Sequence, residues 1–207
     1  MKASKLLKFV GVGMVFSSFL FACSHKDSDV KTIGVLQYME HGALDAAYEG
    51  FIAGLAEEGY IEGENIKIDL KNAQGDLTTA QTIANQYVSD DVDMMFAIAT
   101  QAVQSAYNAT KEIPILMTAV TDPVEAGVVK DWNQSGTNVT GTSDLTPVAK
   151  QMELITELVP EAKTVGVIYT TSEANSEVQV KMAEEAASNL GLQVIRVGVT
   201  TVNDIPQ

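Results

Sequence analysis

Polar side chains stand directly after the apolar runs of this sequence, at the points where buried strands would end. Hydroxyl groups and free backbone amides at helix starts can hold a carboxylate, and a nearby Asp can face an ammonium group. Such a set suits a small zwitterion and suits phosphates poorly. Taken singly, each residue also has a simpler role as a helix cap, and the sequence leaves that alternative open. The residues are Gln37, Thr100, Gln101, Thr121, Asp122, Ser143 and Asp144.

The first of these strand ends continues as Q-Y-M-E-H-G-A-L-D from residue 37. Gln37 is a candidate for reading a ligand through its amide, and Glu40 offers a carboxylate to an ammonium group. Asp45 equally suits a helix cap, and Tyr38 suits simple packing. His41 has no second histidine or cysteine at ligand spacing, so we expect a hydrogen-bonded histidine and no metal site.

Motifs for catalysis and cofactor binding are missing from the sequence. It has no G-x-x-x-x-G-K-[ST], no G-x-S-x-G, no H-E-x-x-H and no Ser, His and Asp in a plausible order. We therefore predict no enzyme and no cofactor. The net charge of −14 and a single arginine, Arg196, also argue against nucleic-acid binding, which needs clustered cations.

The elements that must position these residues alternate between short β-branched apolar runs and longer amphipathic segments. Strands are predicted near residues 32–37, 65–70, 93–98, 114–119, 138–142, 164–169 and 193–198. Helices are predicted near residues 43–58, 77–89, 101–110, 123–130, 147–158 and 174–190. This alternation predicts an α/β protein with doubly wound parallel sheets and helices on both faces.

Capping residues support these boundaries. Gly59 and Gly191 would end helices, and Asp76, Thr100, Asp122 and Thr146 would begin them, with Pro123 and Pro147 in first turns. Five strands fill a first lobe at residues 32–145, whereas residues 146–207 hold the start of a second. We expect that second lobe to be incomplete in this chain, with an unpaired sheet edge.

The N-terminal residues read as an export signal. Lys2, Lys5 and Lys8 precede an apolar run at residues 9–22 that is shorter than a membrane-spanning helix. The sequence L-F-A-C at residues 20–23 resembles the lipobox of bacterial lipoproteins, so we predict a signal at 1–22, lipidation of Cys23 and a tether at 23–31. An ordinary signal peptide with an incidental cysteine is the alternative.

The sequence resembles the solute-binding lipoproteins of ABC transporters with a type I periplasmic-binding-protein fold, in particular the group linked to tryptophan and tyrosine uptake. The resemblance covers nearly all of residues 31–207. It is carried by I-G-V-L-Q-Y-M-E-H-G-A-L-D (33–45), A-T-Q-A (99–102), A-V-T-D-P-V-E-A-G-V-V (119–129), G-T-S-D (141–144) and I-Y-T-T-S-E-A-N-S (168–176).

This resemblance implies a function without chemistry on the ligand. The two lobes would close on an amino acid, aromatic in this group, and deliver it to an ABC permease and its ATPase at the outer face of the cell membrane. The seven residues named above would contact the ligand from the first lobe, and Tyr38 would pack on its ring. Contacts from the second lobe would come from Ser172, Asn175 and Ser176.

Other functions fit the same fold. The cleft could take another small solute such as a sugar or nucleoside, or the chain could be a sensor domain. A sensor of the transcription-regulator kind would carry a basic DNA-binding segment where this chain has an export signal.

Overall fold

The computed structural model describes residues 30–205, so the predicted signal, Cys23 and most of the tether lie outside the described residues. Strands and helices alternate along this part of the chain. The strands are β1 (Lys31–Gln37), β2 (Ile66–Asn72), β3 (Met94–Ile98), β4 (Ile115–Val120), β5 (Val139–Ser143), β6 (Thr164–Thr170) and β7 (Gln193–Val199). The helices are α1 (Gly42–Glu57), α2 (Leu77–Ser89), α3 (Thr100–Ala109), α4 (Val148–Leu158) and α5 (Ala174–Asn189), with a 3-10 helix at Val202–Asp204.

The first five strands form one parallel sheet in the order β2-β1-β3-β4-β5. Buried side chains cover both faces of this sheet. On one face α1 packs against β1 and β3, where the rings of Phe51 and Phe96 stack with centroids 4.0 Å apart. On the other face α2 and α3 pack together over a larger cluster that includes Tyr87 and Met95. The predicted α/β fold with a doubly wound parallel sheet is confirmed.

The second sheet pairs β6 with β7 in parallel. Helices α4 and α5 pack together on one side of it, around Met152, Ala183 and Ala187. The opposite face carries exposed apolar side chains, with Ile168 of β6 beside Val197 of β7 in the register. Within residues 30–205, no helix is both long enough and apolar enough to cross a membrane.

Several predicted caps are found, and two are not. Asp76 accepts a hydrogen bond from the Thr79 amide at the start of α2, and Gly59 and Gly191 follow α1 and α5 with positive φ. The prediction of side-chain caps at Thr100 and Thr146 is wrong. Thr100 is the first residue of α3, and α4 begins after Pro147 without a side-chain cap.

The helix predicted at residues 123–130 does not form. Asp122 Oδ1 accepts hydrogen bonds from the amides of Val124 and Glu125 at 2.9 and 3.0 Å, which starts a turn as a cap would. The turn then closes at Gly127, where φ is 73°. The next residues, Val128 and Val129, leave the turn and are buried in the core. Burial of these two β-branched side chains therefore outweighs the helix start signal.

Candidate functional site

The predicted first-lobe residues lie along one edge of the first sheet. Parallel strands end on the same side, and the sheet order places the ends of β1, β3, β4 and β5 beside one another. The strand order changes direction between β1 and β3. The helices that follow these two strands, α1 and α3, cover opposite faces of the sheet. In open α/β sheets, ligands bind in the crevice at this kind of switch point. Residues 37–38 and 99–101 border it directly.

Gln37 is the last residue of β1 and is 4 % exposed. Its Nε2 donates hydrogen bonds to the Met39 carbonyl oxygen at 2.9 Å and to Asp45 Oδ1 at 2.7 Å. Asp45 stands in the first turn of α1, but that helix is capped by His41, whose Nδ1 accepts from the Ala43 amide. Asp45 therefore faces Gln37 instead of capping the helix, and the expectation of a hydrogen-bonded His41 is confirmed.

Tyr38 is held by contacts within the first lobe, so less of its side chain is available to a ligand than its place after β1 suggests. Its hydroxyl donates to the Gly75 carbonyl oxygen at 2.8 Å, and its ring packs against the first-lobe core. Burial raises the pKa of the Tyr38 hydroxyl above its usual range, and the negative charges of Glu173 and Asp76 raise it further. Glu173 belongs to the second lobe, so its charge acts across the cleft.

The start of α3 offers backbone amides to the crevice. Ala99 links β3 to α3 with φ 85° and ψ 155°, a backbone conformation that residues other than glycine rarely adopt. No side chain caps the first amides of α3. Thr100 and Gln101 follow at once and are both buried. A helix start without a capping side chain is suited to a carboxylate, because its amides are free and its dipole is positive there.

The ends of β4 and β5 are joined by side-chain contacts. Ser143 Oγ donates to the Thr121 carbonyl oxygen at 2.8 Å and accepts from the Leu145 amide at 3.0 Å. Asp122 uses one carboxylate oxygen to hold its own turn. Asp144 is exposed, and within residues 30–205 its carboxylate has no hydrogen-bond partner. Of these acids, Asp144 is the one with both oxygens free for a ligand.

The second lobe meets this edge through the start of α5. Gln101 Nε2 donates to Asn175 Oδ1 at 3.1 Å, which joins two predicted ligand residues across the cleft. Ser176 Oγ donates to Glu173 Oε2 at 3.2 Å. Ser172 is exposed in the turn before α5. The structure therefore brings Asn175 against the first lobe, and it places Ser172 and Ser176 within one turn of that contact.

Two carboxylates at this site were not among the predicted ligand residues. The sequence offers Asp45 as a possible helix cap, and no motif points to Glu173. The signal for Asp45 was present in the sequence, because a residue one turn into the helix after a strand end points back toward that end. Glu173 could not be found in this way, since its relevance depends on how the lobes meet.

A groove of about 530 Å³ lies elsewhere, in the second lobe, along the edge of β6 between α4 and α5. Ser176 lines it, but the other predicted ligand residues do not. The groove is bordered by apolar side chains such as Met152 and Ile168, and no Asp or Glu is among its lining residues. In the described part of the chain, no group of three or more His, Cys, Asp or Glu residues could hold a metal ion.

Known proteins resemble this chain closely. A curated relative, the tyrosine-binding protein of Clostridioides difficile, is 45% identical over 219 residues, which cover all of this chain and 64% of the relative. A Streptococcus pneumonia structure, described as an ABC domain in complex with L-Trp, is 43% identical with a TM-score of 0.81. The match covers 84% of this chain and 59% of that one.

A third relative differs in its conformation. The ligand-free, open structure of a substrate binding protein with adhesive properties from Clostridium difficile is 52% identical, but its TM-score is 0.67. That match covers 85% of this chain and 60% of the other. This chain therefore agrees better with the L-Trp complex than with the open structure, although the open one is closer in sequence. The chain spans about 60% of the length of these solved relatives.

A family model described as ABC transporter substrate binding protein matches residues 32–207. The fold is that of type I periplasmic binding proteins, in agreement with the solved relatives. With most of its length matched by that model, the chain belongs to the family of ABC transporter substrate binding proteins.

Proposed function

We propose that this protein is the extracytoplasmic receptor of an ABC importer and that it captures an aromatic amino acid between its two lobes. The observation that carries this proposal is the hydrogen bond between Gln101 and Asn175. It joins the buried end of the switch-point crevice to the start of α5, so a solute held there would touch both lobes. Closure of two lobes on a solute is the hinge motion by which such receptors work.

The charges of the site support a ligand with an ammonium group. Asp144 and Glu173 present carboxylates near the cleft, and no lysine or arginine belongs to the candidate set. The ligand's carboxylate would take the free amides at the start of α3, beside the Thr100 hydroxyl. The proposed contacts are Gln37, Tyr38, Thr100, Gln101, Thr121, Asp122, Ser143, Asp144, Ser172, Asn175 and Ser176.

The aromatic side chain is inferred from the relatives. The curated relative is a tyrosine-binding protein, and a solved relative holds L-Trp. Tyr38 keeps its hydroxyl on Gly75, so it would offer the ligand a ring face and not a hydroxyl. The carboxylates of Asp144 and Glu173 suit an α-amino acid better than a sugar or nucleoside, which carries no ammonium group to pair with them.

The receptor would be anchored by a lipid on Cys23 and would pass its ligand to a permease and its ATPase, with no nucleic-acid partner. Mass spectrometry of the protein extracted from membranes would test the anchor. A diacylglycerol mass on a chain that begins at Cys23 supports it. Release of a Cys23→Ser variant from the membrane fraction would be the matching result, and an unmodified Cys23 in membrane-bound protein would contradict it.

Binding is best tested by calorimetry on the full-length protein with L-tyrosine, L-tryptophan and L-phenylalanine, and with L-glutamate as a control. We expect saturable binding of at least one aromatic amino acid. Gln101→Ala should weaken it roughly fivefold, since one hydrogen bond contributes about 1 kcal/mol. Gln104→Ala is the matched control, because Gln104 lies on the same helix and donates to Ala126 within the first lobe. Absence of saturation with every aromatic amino acid would refute the proposal.

A further inference from the structure

Two acceptors fix the orientation of the Gln37 side-chain amide. The Met39 carbonyl oxygen and Asp45 Oδ1 lie 2.9 and 2.7 Å from Gln37 Nε2. A carbonyl oxygen and a carboxylate can only accept hydrogen bonds, so the nitrogen must face both of them. Both amide protons are thereby used, and the oxygen Oε1 must point the other way.

Gln37 Oε1 is left as a free acceptor. Within residues 30–205 it has no hydrogen-bond partner, although the residue as a whole is 4 % exposed. Among the described side chains, the oxygen atom that is both sealed from solvent and unpartnered is Asn138 Oδ1. Gln37 Oε1 is not sealed in that way, so it can be reached from the space at the end of β1. An acceptor held in this position favours a ligand that brings a donor.

We propose that Asp45 is a positioning residue that turns the Gln37 amide so that Oε1 receives the ammonium group of the bound amino acid. The proposal rests on the function proposed above and names the part of the ligand that Gln37 contacts. An ammonium group carries three donors and no acceptor. If the amide turned over, its NH2 group would face those donors, and the contact would become repulsive.

Asp45 is needed for this orientation because Met39 alone leaves one amide proton unused. A carboxylate makes the stronger of the two bonds, since its charge assists the interaction. The main alternative is that Asp45 only stabilises α1, where a negative charge in the first turn is favourable. The two roles differ in one measurable respect. Unlike stabilisation of α1, positioning makes the effect of Asp45 depend on the ammonium group of the ligand.

The test compares two probes on the full-length protein. L-tyrosine has the ammonium group, whereas 3-(4-hydroxyphenyl)propanoate has the same ring and carboxylate without it; the second probe is measured by competition at millimolar concentrations. Asp45→Leu should weaken L-tyrosine binding about tenfold or more and leave the binding of the propanoate within about twofold. Asp45→Asn keeps an acceptor oxygen for Gln37 and should restore most of the affinity. Glu49→Leu, which removes an exposed charge from the same helix, is the matched control and should change neither probe.

The possible negative results of this binding experiment separate the positioning role of Asp45 from the proposed function. If the unaltered protein binds no aromatic amino acid, the proposed function and this inference are both overturned. If it binds L-tyrosine but Asp45→Leu weakens both probes equally or neither, only the positioning role is overturned. A readout without ligand comes from the side-chain amide protons of Gln37 in nuclear magnetic resonance. One of the two should lose its protection from solvent exchange in Asp45→Leu and keep it in Asp45→Asn.

Discussion

Tyr87 provides the sharpest test of how the first lobe is held together. Its side chain is fully buried, and its hydroxyl lies 2.9 Å from the Val35 carbonyl oxygen and 2.7 Å from that of Asp69. The single hydroxyl proton is thus shared between backbone carbonyl oxygens of β1 and β2. β1 ends at Gln37, and β2 leads into the turn at Gly75. The substitution Tyr87→Phe keeps the ring and removes the donor, so both carbonyl oxygens lose a partner.

The loss should lower the free energy of unfolding by about 2 kcal/mol, which combines one net hydrogen bond with the cost of an unpaired buried carbonyl. For a chain of this size the melting temperature should fall by about 6 °C. The difference also depends on pH. Burial and then the negative charge of Asp69 raise the pKa of the Tyr87 hydroxyl well above its usual range.

The direction of this pH dependence follows from the pH at which the folded and the unfolded chain each release the Tyr87 hydroxyl proton. Above about pH 10 the unfolded chain releases the Tyr87 proton while the folded protein keeps it. The contribution of Tyr87 is therefore complete below about pH 10 and declines by about 1.4 kcal/mol for each pH unit above it. The phenylalanine variant has no such proton, so the gap between the two proteins should close near roughly pH 11.5.

Urea unfolding followed by circular dichroism at pH 8, 10 and 11 measures this gap, and the difference cancels the titration of all other groups. Tyr60→Phe is the matched control, because Tyr60 is 52% exposed and the change should alter stability by less than about 0.5 kcal/mol. A Tyr87→Phe variant as stable as the parent at pH 8 would refute the hydrogen-bond argument. A gap that stays constant up to pH 11 would refute the argument from the pKa.

Three further changes test the elements around the crevice by urea unfolding. Ala99→Gly should stabilise the protein by about 1 kcal/mol, since glycine relieves the strain at φ 85°; a loss of stability would show that the strain is absent. Gly141→Ala should destabilise it by at least about 2 kcal/mol, because a Cβ there would lie 2.0 Å from the Met117 carbonyl oxygen, and a neutral result would contradict that contact. Asp76→Ala should destabilise the protein at pH 7 through the lost bond to Thr79. The pKa of the Asp76 carboxyl is lowered by that bond, so its contribution should disappear as the pH falls below about 4, and a gap that persists at pH 2 would contradict it.

Strand positions could be predicted from the sequence because buried parallel strands need apolar, β-branched runs whatever their partners are. The strand predicted at residues 193–198 agrees with β7 to within one residue. The segment at 123–130 failed for a reason that lies outside the segment. Its start signals are those of a helix, but burial of Val128 and Val129 against the first-lobe core decides its path.

The location of the site could also be predicted, because the carboxyl ends of parallel strands share one edge in any such fold. The partners of the side chains could not. From the sequence, Asp122 could start a helix or face a ligand, and in the structure one of its oxygens holds a turn. Asp45 looked like a cap, yet it binds Gln37. Differences of a few tens of degrees in side-chain dihedral angles decide which of two nearby groups a side chain binds. The sequence does not contain these angles.

The short connection between β3 and α3 explains why Gln101 can reach the second lobe. β1 and β3 are neighbours in the sheet, and their helices leave toward opposite faces, so the crevice opens between the two strand ends. A single residue, Ala99, carries the chain from β3 into α3. A longer loop would relieve its strained backbone, but it would move the first amides of α3 and the side chain of Gln101 away from the crevice. The strain at Ala99 is thus tied to the geometry that lets one helix start serve both as an anion site and as the contact with Asn175.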